Sequence, residues 1–316
     1  MTTATITRPN LFTSVGKDVS SCRTGAEALA KAGLGWNVSA RELFHAPPPQ
    51  NDSMREVPTH RAFVRDDNER VMSALTKDFT PIQNDKVLEF FDPFLEAGEA
   101  SFECAGELRG GKTVFAIAKL NRAPIVVGKE DTVNKYLMAA NSHDGSMALR
   151  VQFLPFRTVC SNILNRFTRG SRLLRIVHSK QIQQRLDQVQ TIVNAADGEF
   201  QATAEQYKAL AKRGVRKQDL EKFVKLVFEP HNADEQRKLL AVEKMTETIT
   251  RLFETGAGSE LKTANGTLWG LYNATTEYLT HERGKTDDRR LYSACFYENA
   301  RIGAKAFKVA MEMVSQ

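Results

Sequence analysis

The sequence predicts an α+β fold, a mostly antiparallel β-sheet with hairpins over about 55–162 followed by a helical C-terminal half. Three observations predict it. Strand-like apolar runs separated by polar turns recur from about His60 to Cys160. Apolar residues at helical spacing take over after Cys160. The 316 residues are 41% hydrophobic, enough for one large domain or two ordinary ones with a real core.

Residues 1–54 read as an arm, a short helix and a linker. Thr24 and Glu27 form a T-x-x-E capping box, AEALAKAG supplies the turns, and Gly33 stops the helix. WNVSARELF alternates as a strand, and HAPPPQNDS reads as an extended linker. Residues 55–178 read as a β-rich core with a basic segment. HRAFVRDD and RVMSALTKDFTPI are strands joined by a turn near Asp67-Asn68. NDKVLEFFDPFLEAG is a helix capped by Asn84 or Asp85, with a kink at Pro93. ASFECAGELRGGKTVFAIAKL is a hairpin turning at Gly110-Gly111, and APIVVG, TVNKYLMAAN and SMALRVQFLPFRTVC continue the strands. Residues 179–316 form the helical region, where Ile182, Leu186, Val189 and Val193 set the spacing of the first helix.

The net charge is +6, and it is unevenly placed. From Gly145 to Leu186 there is no acidic residue, while Arg150, Arg157, Arg166, Arg169, Arg172, Arg175, Lys180 and Arg185 give that window a charge of +8. Seven of the eight are arginine, the side chain suited to phosphate forks and to stacking on bases. The pattern points to an anionic partner, most simply a nucleic acid. In a regular strand Arg150, Gln152 and Leu154 share one face, which would be a polar one. Pro155 ends that ladder or lies at an edge. Asn162 and Asn165 add polar contacts, and Phe153, Phe156 or Phe167 could stack bases, although core and capping roles serve these residue types equally well. Six phosphate-neutralising arginines on a single strand imply a log–log salt slope of about −4. The cations from Lys208 to Lys217 sit among acids and read as a solvated helix face.

No catalytic residue, metal site or cofactor is expected. The chain lacks HExxH, a GxSxG elbow and a Walker A loop, and Gly106–Lys112 lies in a hairpin instead of before a helix. Two pairs leave a metal-assisted hydrolase as an alternative: His143 with Asp144, and Glu277 with His281 four residues on. A protein-interaction or inhibitory module with its arginines facing an acidic protein is another. The four cysteines are widely spaced, the N-terminus lacks a secretory pattern, and no apolar run approaches the roughly 20 residues of a membrane span, so a cytoplasmic protein is expected.

RAFVRDD, FTPIQN, CAGELRGGKTVFAIAKL, NSHDGSMALRVQFLPFRTVCSNILN and LYNATTEYLTHERG occur in that order. Over roughly 35–310 the chain resembles the phage/plasmid-like proteins that share a domain of unknown function. The likeness is most specific at Asn141, His143, Asp144 and Gly145, at the segment RTVCSN, and at Asn273, Glu277, Tyr278 and His281. It implies a mobile-element setting and brings no assigned chemistry. Architecture and charge also resemble, more distantly, the phage single-strand annealing proteins of the RecT/Redβ-like group. That likeness implies a homo-oligomer on single-stranded DNA, acting without ATP in recombination or replication and promoting strand annealing.

Overall fold

The computed structural model describes residues 10–46, 53–164, 182–230, 232 and 234–316. Helix α1 (Leu11–Val15) is capped by Asn10, whose Oδ1 accepts from Phe12 N at 3.0 Å. Strand β1 (Lys17–Asp18) leads to α2 (Gly25–Ala32). The Thr24 hydroxyl accepts from Glu27 N, and Gly33 closes the helix at φ +72°, a conformation open to glycine without a Cβ penalty. Strands β2 (Val38–His45), β3 (Arg55–Arg65) and β4 (Arg70–Thr76) form a separate antiparallel sheet in sequence order. The hairpin region therefore divides between two sheets, and WNVSARELF belongs with the smaller one.

The expected single helix over NDKVLEFFDPFLEAG is two, α3 (Asn84–Glu89) and α4 (Asp92–Glu96). Pro93 starts the second because its ring cannot continue the first. Asn84 does not cap α3. It is buried, and its amide donates to the carbonyls of Leu34 and Trp36 at 3.0 Å.

The larger sheet holds β5 (Ala100–Leu108), β6 (Thr113–Leu120), β7 (Ile125–Gly128), β8 (Asp131–Ser142), β9 (Arg150–Arg157) and β10 (Asn162–Ile163). Its order is β1-β5-β6-β8-β9-β10, with β7 also pairing β8, and every pairing is antiparallel. Central β6 is covered on both faces, which is why TVFAIAKL is nearly all apolar. On one face Phe115, Ile117, Met138, Leu154 and Phe156 pack with Leu11, Phe12 and Leu291. On the other, Val114, Ala116, Leu137, Ala139 and Val151 join a cluster that runs on into the helices as far as Met313. β10 pairs with Arg157 and Phe156, and Pro155, which has no N–H to give, takes part on that side as an acceptor alone, from Leu164 N at 3.0 Å.

The helical half comprises α5 (Ile182–Lys212), α6 (Lys217–Phe228), α7 (Glu235–Thr255), α8 (Leu268–Glu277), α9 (Asp287–Phe296) and α10 (Glu298–Val314). A π-helical turn, Tyr278–Glu282, follows α8. Every residue of α8 is buried, because LWGLYNATTE carries apolar or small polar groups on all sides apart from Glu277, whose carboxylate is bonded to a backbone N–H. Gly270 makes this possible: a Cβ there would stand 1.9 Å from the Ala264 carbonyl oxygen. Tyr207, Trp269, Tyr272 and Phe307 form a chain of ring contacts that ties α8 to α5 and α10. Among the described residues, no helix is long and apolar enough to cross a membrane.

Candidate nucleic-acid interface

The cations expected to share a groove do not share one environment. Arg157 ends β9 and is 0% exposed. Its Nε and Nη2 each donate at 2.7 Å to the two carboxylate oxygens of Asp131, at the start of β8. Asp131 also accepts from Thr263 Oγ1 at 2.6 Å and from Trp269 Nε1 at 2.8 Å. Burial pushes the Asp131 carboxyl upward, but the bonds and charge of Arg157, with Thr263 and Trp269, outweigh it and hold the group below its ordinary value. Arg157 is thus a structural cation that joins the sheet to α8, and it cannot meet a phosphate. In the low-dielectric interior a charge needs such a bidentate, hydrogen-bonded partner to offset its desolvation.

The neighbouring expectations change for the same reason. Asn162 is buried, with its amide donating to Asn273 O at 3.2 Å and Thr276 Oγ1 at 3.3 Å. It does not reach a ligand. The face of β9 expected to be polar is roofed by α9: Gln152 Nε2 donates to Cys295 O at 3.4 Å, and Leu154 and Phe156 lie in the core beside it. Phe153 is also packed against the core. Arg150 is half-buried at the start of β9 and forms no ion pair among the described residues. Asn165, Arg166, Phe167, Arg169, Arg172, Arg175 and Lys180 lie outside the described residues, and Arg185 falls on the part of α5 described for its backbone alone.

The motif residues are mostly interior. Asn141 donates to Ile82 O at 3.0 Å. Gly145 turns between β8 and β9 at φ +70°, as the Asp144-Gly145 pair predicts. Asp144 pairs with Arg109 at 2.8 Å and accepts from Ser146 N and Oγ. His143 is buried edge-on to Trp36, with ring centroids 5.3 Å apart. Its Nε2 lies 2.8 Å from Asn84 Oδ1. Because the Asn84 amide nitrogen is already a donor to two carbonyls, Oδ1 is the acceptor and His143 Nε2 carries the hydrogen. Asn273 donates to Trp269 O at 2.7 Å, and the buried Glu277 accepts from Ala257 N at 3.1 Å. Tyr278 opens the π-turn and packs on Phe228, its phenol raised by burial. His281 Nε2 lies 3.1 Å from Cys160 O. Among the described residues no group of three or more His, Cys, Asp or Glu could hold a metal ion.

Burial drives the His143 imidazole down from 6.5 to about 4, with Asp144 opposing and Arg65 assisting. The folded value lies below the unfolded one, so the unfolded chain takes up the proton first as pH falls. Stability is therefore lost progressively from about pH 6.5 to about pH 4. Between about pH 7 and about pH 5, this one group should cost about 2 kcal/mol. Urea midpoints for wild type and His143→Gln at both pH values check it: the variant should lose that part of the acid sensitivity.

A surface arrangement escaped the sequence reading. Arg109, at φ +56° in the β5–β6 turn, lays its guanidinium 4.8 Å from the ring centroid of Tyr292 on α9. Tyr292 stacks with Tyr297 at 6.4 Å and 29°. Arg301 lies over Tyr297 at 5.8 Å. The order is cation, ring, ring, cation across the α9–α10 junction. Its only signal was the spacing of Tyr297 and Arg301, one helical turn apart. Arg109 comes from 183 residues before Tyr292, a separation that no local pattern reveals.

A family model described as a domain of unknown function, DUF932, matches residues 71–299. No curated protein and no solved structure matches the chain.

Proposed function

We propose a function for a chain that belongs to the DUF932 family, a domain of unknown function: it binds single-stranded nucleic acid, DNA in the first instance. The carrying observation is the separation of charge. The window 145–186 has eight cations and no carboxylate; of the two whose side chains are described, Arg157 is paired with Asp131 and Arg150 forms no ion pair. The strand-binding set becomes Arg150, Arg166, Arg169, Arg172 and Arg175, with Lys180 and Arg185 flanking it. Contact with the phosphate backbone gives sequence-tolerant, salt-sensitive binding. In this reading the protein works in the cytoplasm as a homo-oligomer along the strand, in the recombination or replication of a phage or plasmid, where it promotes annealing.

Titration of a labelled oligothymidylate at low salt tests the proposal. Micromolar protein should shift the strand. Failure to shift it, or a nuclease-resistant complex with an acidic host protein in its place, would overturn the reading.

A further inference from the structure

The junction of α9 and α10 deepens the single-strand reading and rests on it. We propose that Tyr297 is a base-stacking platform, with Arg301 supplying the adjoining phosphate contact and Arg109 and Tyr292 bracing the platform from behind.

Tyr297 is 57% exposed, although a ring of its size is usually covered when it serves packing alone. Tyr292 stacks on it at 6.4 Å between centroids and Arg301 lies 5.8 Å from its centroid, and with more than half of the residue exposed, ring surface is open to a further planar group. Tyr292 does not share that freedom. It is half-buried, stacked by the Arg109 guanidinium and within 3.4 Å of Arg109 Nη1 through its hydroxyl, while Arg109 is itself tied to Asp144. The inner half is therefore fixed and the outer half is accessible, as suits a preorganised stacking surface.

The charges agree. Asp144 is paired with Arg109, Asp287 with Arg290 and Glu298 with Arg283, while Asp288 accepts the Arg109 backbone N–H. Arg301 and Arg289, both exposed, form no ion pair among the described residues. An aromatic face with the unmatched Arg301 guanidinium beside it suits a nucleobase and its phosphate. It also favours an unpaired strand, because bases in a duplex already cover one another's faces.

The test compares wild type, Tyr297→Ala, Tyr297→Phe and Arg301→Gln against oligothymidylate, the matching duplex and an abasic strand of equal charge. Tyr297→Ala should weaken oligothymidylate binding at least roughly fivefold, the low end for losing one stacked base. Tyr297→Phe should bind as wild type does. Both Tyr297 variants should bind the abasic strand like wild type, and wild type should bind that strand more weakly than oligothymidylate. Arg301→Gln should lower the salt slope by about 0.7. Urea midpoints identify any variant that has lost its fold, and the exposure of Tyr297 makes such a loss unexpected. If wild type binds but Tyr297→Ala matches it, or oligothymidylate and the abasic strand bind alike, the platform is refuted and the wider reading stands. If wild type binds no strand, both fall.

Discussion

Arg157→Met should lower the stability of the protein by about 3–5 kcal/mol, read as a shift of the urea midpoint. The substitution keeps the apolar stem but leaves Asp131 charged and buried, with only Thr263 and Trp269 donating to it. The double variant Asp131→Leu/Arg157→Met should recover part of the loss, since it removes both charges. Recovery will be incomplete because Trp269 Nε1 and Thr263 Oγ1 then lose their acceptor. A phosphate-binding Arg157 would behave in the opposite way, with stability kept and affinity lost.

That pair also shows how far the sequence could be read. The β8–β9 hairpin was visible in NSHDGS, and its turn sets the register that places Val133 opposite Arg157. Asp131, two residues before Val133 on the same strand face, is then the diagonal neighbour of Arg157. Carrying the register through would have found the acid, but a charge count over a contiguous window does not cross to the partner strand. The α+β class, the hairpin at Gly110-Gly111 and the cap at Thr24 were readable because each has a local cause. The roof of α9 over Gln152 and the burial of Asn162 against α8 were not, since their partners lie 143 and 111 residues away in sequence. The motif NATTEYLTH read as helical, with the Glu277 carboxylate and the His281 imidazole four residues apart on one face. The helix lies in the interior, a depth the sequence did not show, and its small polar residues bond to carbonyls, with Asn273, Thr275 and Thr276 all doing so.

Replacing Arg166, Arg169, Arg172 and Arg175 together by Gln should weaken single-strand binding by several hundredfold at about 0.1 M salt. That figure follows from four lost contacts at about −0.7 in slope each, with the electrostatic contribution vanishing near 1 M. Arginines that serve a bound strand carry affinity and not stability, so the urea midpoint is expected to stay close to that of wild type. Arg157→Met provides the contrast, because its damage falls on stability.

The salt dependence of oligothymidylate binding probes the charge assignment most directly. With Arg157 withdrawn into the Asp131 pair, five arginines of the basic segment remain and Arg301 adds a sixth contact, and log K against log salt concentration should fall with a slope of about −4. In the fourfold Gln variant, with Arg150 and Arg301 left, the slope should flatten to about −1.4. A wild-type line with no slope would contradict the claim that this basic segment holds a phosphate backbone.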